Sequence, residues 1–139
     1  WEYAARAGAT TAYWWGEDIG TNNANCNPIN NGAAGPIDCG DAFDNMTAPV
    51  KSFAANPFGL YDTAGNALEW VEDCYHSDYY GAPRDGSAWT TNCASTDDRV
   101  QRGGGFWVHG PFNLRSASRF GNVPESRSFD FGFRLALDL

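Results

Sequence analysis

The sequence predicts an α+β domain in which irregular loop outweighs a few short strands and very few helices. Residues 21–45 and 76–98 are rich in polar and turn-forming residues, and neither shows the repeat of a helix or a strand. The apolar runs between them are brief, and the chain has no internal repeat. At 139 residues the chain has the length of one domain with a substantial core.

Local patterns place the regular elements in order. Residues 1–8 are rich in Ala, carry an Arg near their end and finish on Gly, which predicts the last two turns of a helix. Residues 13–15 are aromatic and predict a short strand or core plug. Residues 49–53 and 67–75 predict two strands. Residues 99–107 predict a strand that runs into a glycine bend, and residues 132–137 predict an alternating closing strand.

Four cysteines predict two disulfides, because no Cys-x-x-Cys pair of the kind used by zinc ribbons and redox motifs occurs. Of the three pairings, we expect Cys26 with Cys39 and Cys74 with Cys93. Each of these pairs closes a polar segment that would otherwise be a long unsupported loop. Since disulfides persist in oxidising compartments, we expect an extracytoplasmic location or a cell or virion surface.

The charge is unevenly distributed. The net charge is −8; residues 1–98 carry 14 acidic and 3 basic side chains, whereas residues 99–139 carry 6 Arg and 3 acidic side chains. An acidic body argues against binding to nucleic acid or to an anionic membrane. The Arg side chains of the tail are spread singly among aromatics, so a structural role in bridging carbonyls and carboxylates is at least as well supported as a nucleic-acid patch. No apolar run reaches the length of a membrane span.

Residues 58–70 contain the best candidate for a metal loop. Asp62 and Glu69 lie seven positions apart around a flexible turn at residues 64–66. Calcium takes about six to eight oxygen ligands, and short loops commonly supply them as carboxylates at the two ends with backbone carbonyls between. The same spacing is typical of an ordinary turn between buried strands, with Asp62 as a turn residue and Glu69 in solvent.

Motifs of nucleophilic and phosphate chemistry are missing from the sequence. His76 and His109 stand in predicted loops without a second His at ligand spacing, and no Gly-x-Ser-x-Gly elbow occurs. The three glycines at residues 103–105 are not followed by Lys and Ser or Thr. We interpret them as a backbone bend with close packing.

Aromatic residues concentrate near the C-terminus. Six of the nine Phe lie from Phe106 onward, and Phe106 and Phe133 are candidates for the core. Four others sit among small polar residues, where core packing and an exposed patch for a partner are equal alternatives. They are Phe112, Phe120, Phe129 and Phe131.

Seven blocks of sequence resemble the formylglycine-generating (sulfatase-modifying factor) domain family. They run in the family's order: WEYAARAG at 1–8, TAPV at 47–50, NPFGLYD at 56–62, GNALEW at 65–70, RVQRGG at 99–104, RSA at 115–117 and GFRL at 132–135. The resemblance implies a C-type-lectin-like fold with short twisted antiparallel strands and few helices. It identifies residues 1–139 as the C-terminal portion of one such domain.

The resemblance also implies structural calcium, because the family coordinates calcium in the block that matches residues 62–69. The implied ligands there are the side chains of Asp62 and Glu69 and the carbonyls of Gly65 and Ala67. A second family site lies upstream of the TAPV block, although its spacing departs from the family's pattern and two cysteines intrude. Its implied ligands are Asn25, the carbonyl of Cys26, Asp41 and the carbonyl of Phe43.

Enzymes of the family oxidise a sulfatase cysteine to formylglycine with a copper-binding cysteine pair, which lies between the Arg-Gly-Gly and Arg-x-Ala blocks. In this chain that segment, residues 105–114, contains no Cys. Because thiolates are needed to hold copper(I), we expect neither copper nor the oxidase activity. An oxidase-type enzyme or an accessory domain is the alternative function.

A second branch of the same fold, the variable proteins of diversity-generating retroelements, fits the resemblance better. These proteins use the tail as a mutable binding surface, in which randomised adenines leave residues that NNC codons encode. From residue 108 to residue 131, every residue except Glu125 belongs to that set. The resemblance therefore implies a non-catalytic recognition module whose variable segment, residues 105–132, binds a protein or another surface ligand. The predicted contact residues are Trp107, Val108, His109, Phe112, Ser118, Phe120, Asn122, Val123, Ser126, Ser128, Phe129, Asp130 and Phe131.

Overall fold

The structure, a computed structural model, describes residues 1–26, 39–43, 46–94, 97–107 and 111–136, together with the backbone of residues 29–30 and 36–37. Loop exceeds regular structure within these residues, as the sequence predicts. In chain order the elements are the helix α1 (Glu2–Arg6), the strands β1 (Ile29–Asn30), β2 (Pro36–Ile37), β3 (Leu68–Cys74) and β4 (Arg99–Arg102), a 3-10 turn (Pro111–Leu114), and the strands β5 (Phe120–Asn122) and β6 (Phe131–Phe133).

A four-stranded sheet in the order β5–β4–β3–β6 forms the centre of the fold. Strand β3 is antiparallel to β4 and parallel to β6, and β4 is antiparallel to β5. Phe120 pairs with Gln101, Gln101 with Trp70, and Trp70 with Phe133. Because paired residues share a face of a sheet, these four side chains form one row across it. Glu69, next to Trp70 in β3, belongs to the opposite face.

Helix α1 is short and ends at Arg6, before the predicted stop at Gly8, because Ala7 already takes the left-handed cap position. Ala7 adopts a left-handed conformation with a φ of 46°, and its N–H bonds to the carbonyl of Tyr3 at 3.1 Å. The Asn56 side chain donates to the carbonyl of Ala4 at 2.7 Å, which fixes the helix to the loop that precedes Asp62.

A cluster of buried hydrophobic residues forms around the first disulfide. It contains Tyr13, Ala24, Cys26, Cys39, Ala64 and Leu114. Leu114, at the end of the 3-10 turn, is fully buried there, so the tail is rooted in the core at this point.

Two predictions about the strands are wrong. Residues 49–53 form a turn, in which the backbone N–H and the hydroxyl of Ser52 both donate to the carbonyl of Pro49. A positive φ of 67° at Lys51 interrupts any extended run. The closing strand begins at Phe131, one residue before the predicted start, and ends at Phe133, whose side chain is 73% exposed rather than in the core. Phe106 is buried as predicted.

Strand β5 is absent from the sequence prediction. Its residues, Phe-Gly-Asn, carry a glycine at the centre and no β-branched side chain. Gly121 is required by close approach, because a Cβ there would lie 2.8 Å from the ring of Tyr75. No helix within the described residues is long and apolar enough to cross a bilayer.

Candidate functional site: two polar loops and an exposed tail

Both predicted disulfides are present. Cys26 bonds to Cys39 and Cys74 to Cys93, with Cα–Cα distances of 5.8 and 6.3 Å. The first closes the segment between Cys26 and Cys39, which directly precedes Asp41, and the second joins the end of β3 to the loop before β4. All four cysteines are therefore cross-linked.

Asp62 lies in the first predicted calcium loop with one carboxylate oxygen engaged and the other free. Its φ is 56°, and its Oδ2 accepts a bond from the backbone N–H of Lys51 at 3.1 Å. Its Oδ1 is buried and has no hydrogen-bond partner among the described residues. A buried carboxylate oxygen without a donor is costly, and a bound cation would compensate it. This oxygen fits a calcium ligand.

Glu69 is buried and already carries a cationic partner. Arg134 donates through Nε to Glu69 Oε2 at 2.6 Å and through Nη2 to Oε1, and the Nε1–H of Trp1 donates to Oε2 at 2.6 Å. The hydrogen bond to Glu69 raises the pKa of Arg134 above its ordinary value. The alternative of a solvated Glu69 is wrong. A calcium ion at Asp62 would share this carboxylate with Arg134, which the additional lone pairs of the two oxygens allow.

The two predicted calcium loops meet at Gly65. Asn25 and Gly65 form an isolated parallel bridge, and the N–H of Asn66 donates to the carbonyl of Asn25 at 2.9 Å. A Cβ on Gly65 would lie 2.3 Å from that carbonyl oxygen, and the φ of Gly65 is +75°. Only glycine fits there. The carbonyl of Gly65 accepts a bond from the N–H of Ala67 at 2.9 Å.

The second loop is held by its own hydrogen bonds. The carboxylate of Asp41 accepts from the backbone N–H of Cys26 at 3.1 Å and of Phe43 at 2.8 Å. The amide of Asn25 donates to the carbonyl of Met46 at 2.9 Å and to Asn66 Oδ1 at 3.2 Å. The four predicted ligand residues of the second loop, namely Asn25, Cys26, Asp41 and Phe43, are therefore neighbours. Among the described residues, no three His, Cys, Asp or Glu side chains gather into a metal site, so backbone carbonyls and the Asn25 amide would have to complete either coordination shell.

One buried arginine ties the tail to the body of the domain. Arg102 of β4 donates through Nη1 to the carbonyl of Ser118 at 3.2 Å and to Glu2 Oε2 at 3.2 Å. Tyr13 adds a second tie, because its hydroxyl donates to the carbonyl of Pro111 at 2.6 Å. Burial raises the pKa of Tyr13, which keeps this hydroxyl a donor at neutral pH. The sequence marked Arg102 only as part of the Arg-Gly-Gly block.

The predicted contact residues divide by exposure. Phe112 and Phe129 are 54% and 68% exposed, and Phe120 and Phe131 are half-buried. Exposed or partly exposed positions also include Trp107, Val123, Ser126 and Ser128. Asp130 is buried and accepts a hydrogen bond from Ser128, so it supports the surface rather than lining it. Val108 and His109 lie outside the described residues.

Two contact residues are engaged within the protein. Ser118 Oγ donates to the carbonyl of Phe112 at 2.6 Å, and Asn122 Nδ2 donates to Gln101 Oε1 at 2.7 Å. Gln101 is fully buried, and its Nε2 has no hydrogen-bond partner in the part of the chain that the structure describes. These bonds fix the tail's backbone path.

The exposed aromatic side chains of the tail pack against a buried ring. Phe129 contacts the buried ring of Phe106 with centroids 5.7 Å apart, and Trp107 meets Phe129 at 5.8 Å in an edge-to-face arrangement. Aromatic pairs of this geometry add stability beyond area burial. Trp107 and Phe129 thus form an exposed pair held in place by the core.

A second aromatic surface was not predicted from the sequence. The guanidinium of Arg119 lies over the rings of Tyr75 and Tyr79, at 5.3 and 4.3 Å from their centroids. Both tyrosines are exposed. The Tyr79-Tyr80 pair in the loop was the only sequence signal. His76, which the sequence places in a loop without a second His at ligand spacing, stacks on Trp89 with centroids 3.6 Å apart.

The fold defines a disulfide-braced, loop-rich domain with exposed aromatic side chains in its C-terminal segment. The chain belongs to the sulfatase-modifying factor enzyme 1-like domain family, whose model matches residues 1–139. The predicted relation to this family is confirmed.

Individual relatives agree with this assignment. The chain is 36% identical over 150 residues to the formylglycine-generating enzyme of Streptomyces coelicolor, covering 99% of this chain and 44% of the relative. The structure resembles PvdO from Pseudomonas aeruginosa with a TM-score of 0.76 and 37% identity, covering 95% of this chain and 47% of that one. It resembles Treponema denticola variable protein 1 with a TM-score of 0.64 and 26% identity, covering 96% of this chain and 43% of that one.

These likenesses confirm the predicted C-type-lectin-like, irregular α+β fold and the relation to the variable proteins. The chain spans less than half the length of each of these three relatives.

Proposed function

We propose that this domain is a non-catalytic recognition module that displays its C-terminal segment, residues 105–132, as a diversified binding surface of the retroelement type. The observation that carries the proposal is the exposed Trp107–Phe129 pair, seated on buried Phe106. Large aromatic side chains held rigid before binding lose little conformational entropy when a partner docks.

The bracing of the tail supports the same function. Leu114 and Asp130 are buried, Arg102 and Tyr13 hold tail carbonyls, and exposed side chains project between these fixed points. A surface of this design can change its exposed side chains while its backbone stays in place. That is the property a diversified binding segment needs.

A formylglycine-generating oxidase is the second candidate, favoured by the identity to the Streptomyces coelicolor enzyme. Copper(I) chemistry of that kind uses thiolates. In this chain residues 105–114 hold no Cys, and all four cysteines form disulfides. The described residues therefore offer no thiolate to such a site.

We further propose that the domain binds structural calcium and works in an oxidising compartment. Asp62 Oδ1 and Glu69 would hold the ion, with the carbonyls of Gly65 and Ala67. The bound ion would compensate the buried charge of the loop and stiffen it against the adjoining second loop. The two disulfides support an extracytoplasmic or surface location, where such bonds persist.

Two experiments test the function. The first is an oxygen-electrode assay with copper(I) and a cysteine-containing sulfatase-type peptide. We expect no oxygen uptake above the protein-free rate. Oxygen uptake that requires this protein would show that it is an oxidase rather than a non-catalytic module. The second is the sequence of the DNA that encodes residues 105–132 and its genomic surroundings. We expect a near-copy repeat that differs at adenines, and the absence of any such repeat would remove the diversification claim.

A further inference from the structure

A cleft of about 570 Å³ lies between the central sheet and the turn at residues 124–128. Strands β3 and β6 supply its apolar wall, which includes Trp70, Phe131 and Phe133. Trp70 and Phe131 meet edge-on with centroids 5.7 Å apart, and Phe133 is 73% exposed. The wall is thus fixed by ring packing and open to a ligand's apolar side chain.

The opposite wall carries an arginine held by its own turn. Arg127 is exposed and donates through Nη1 to the carbonyls of Pro124 at 3.0 Å and Ser126 at 2.9 Å. These bonds orient the guanidinium, while its Nε and Nη2 have no partner within the described chain. A guanidinium with free N–H groups is suited to a carboxylate.

A second arginine lines the cleft. Arg99, the first residue of β4, is half-buried, and its Nη1 contacts both sulfurs of the Cys74–Cys93 disulfide. Disulfide sulfur is a weak, neutral acceptor and does not compensate the charge. Neither Arg99 nor Arg127 forms an ion pair in the part of the chain that the structure describes.

The charge of the cleft is opposite to that of the molecule. Glu72 is the one acidic residue of the lining and is exposed, so the two arginines leave a positive excess. The chain as a whole has a net charge of −8. A local reversal of this kind attracts an anionic group and positions it beside the aromatic wall.

We propose that this cleft binds an extended segment of a partner protein in which an Asp or Glu stands next to an aromatic or large aliphatic side chain. The carboxylate would bridge Arg99 and Arg127, and the apolar side chain would pack on Trp70 and Phe133. This inference rests on the proposed recognition function and assigns the chemistry of its ligand. Neither arginine is among the contact residues that the sequence predicted.

The test is a selection of random peptides displayed on phage against the disulfide-bonded protein, followed by fluorescence anisotropy with a synthetic peptide of the enriched sequence. We expect enriched peptides to pair an acidic residue with an aromatic or aliphatic neighbour. R127Q should weaken the synthetic peptide about tenfold or more, because it removes a charge-assisted hydrogen bond. R84Q makes the same charge change at an exposed site outside the cleft and should leave the affinity unchanged.

Several outcomes would overturn the inference. The first is that the enriched peptides lack an acidic residue. The second is that R127Q and R99Q leave peptide binding intact. The third is that a single-stranded oligonucleotide binds more tightly than the peptide and depends on both arginines in the same way. If peptides bind independently of the arginines but no longer bind the F129S variant, the cleft proposal is wrong and the recognition function is still supported. R127Q changes an exposed side chain, so it tests the cleft even if R99Q fails to fold.

Discussion

Arg134, directly after β6, forms a two-pronged ion pair with Glu69 of β3, and the Nε–Oε2 distance is 2.6 Å. The Arg134 Nη2 also donates to the carbonyls of Tyr61 and Asp62 at 3.1 and 3.2 Å. One guanidinium therefore joins the last strand, the central strand and the calcium loop. Glu69 is almost fully buried, so this partner neutralises a charge that is largely shielded from water.

Replacement of Arg134 by Gln should therefore be costly. The change leaves the Glu69 carboxylate buried without its cation. We expect the free energy of unfolding to fall by about 3 kcal/mol. This is the lower end of the range for buried pairs, because Arg134 is partly exposed. Urea unfolding followed by Trp fluorescence measures it. Arg6→Gln breaks a partly exposed pair within α1, and its Glu2 partner reaches solvent whereas Glu69 does not, so it should cost only about 1 kcal/mol. Equal costs for the two variants would contradict the assigned role.

Gly65→Ala should damage the junction of the two loops. The new Cβ would meet the carbonyl oxygen of Asn25 at 2.3 Å and would hold a left-handed conformation. We expect a loss of about 3 kcal/mol or more, from overpacking and the left-handed strain together. Gly59→Ala is the matched control, because Gly59 has a φ of +78° and nothing within 4 Å of the added Cβ. It should cost only about 1–2 kcal/mol. If Gly65→Ala costs no more stability than Gly59→Ala, the two loops do not touch at Gly65.

Calcium should raise the melting temperature of the disulfide-bonded protein relative to a chelator. Binding to the native state alone stabilises by about 2.7 kcal/mol at a hundredfold excess over the dissociation constant. Asp62→Asn should abolish the shift, because it removes the charge of the free Oδ1. Asp85→Asn, in an exposed loop, should retain it. The calcium proposal fails if no shift appears at about 10 mM calcium, well above the weakest extracellular sites.

Phe129→Ser and Phe106→Ala should differ strongly in how much they lower stability. Phe129 is 68% exposed, so its loss should change the free energy of unfolding by less than about 1 kcal/mol. Phe106 is buried, and its loss should cost about 3–5 kcal/mol. Urea unfolding of both variants distinguishes them. A large cost for Phe129→Ser would place that side chain in the core rather than on the binding surface.

Local sequence patterns correctly predicted the elements whose formation depends on nearby residues. Helix α1 follows from its composition and its stop, and strand β3 from its apolar run. The disulfide pairing follows from loop closure. Strand β5 was missed because it forms through pairing with β4 and the fit of Gly121 under Tyr75, which are tertiary contacts.

The site shows the same division between local and tertiary causes. The spacing of Asp62 and Glu69 could be recognised in the sequence, but the partner of Glu69 could not, since Arg134 lies 65 residues away. The exposure of Phe133 likewise depends on its position in an edge strand. Arg99 and Arg127 lie far apart in sequence, and only the folded sheet places both on one cleft.

The central claim is that a braced scaffold holds a tail whose exposed side chains are free to vary. A library randomised with NNC codons at Phe112, Val123, Ser126, Ser128 and Phe129, displayed on yeast and sorted for protease resistance, tests it most directly. We predict that most variants fold as stably as the parent, whereas a library at Leu114, Ser116 and Asp130 loses folding. If the first library unfolds as often as the second, the tail is part of the core and the account is wrong.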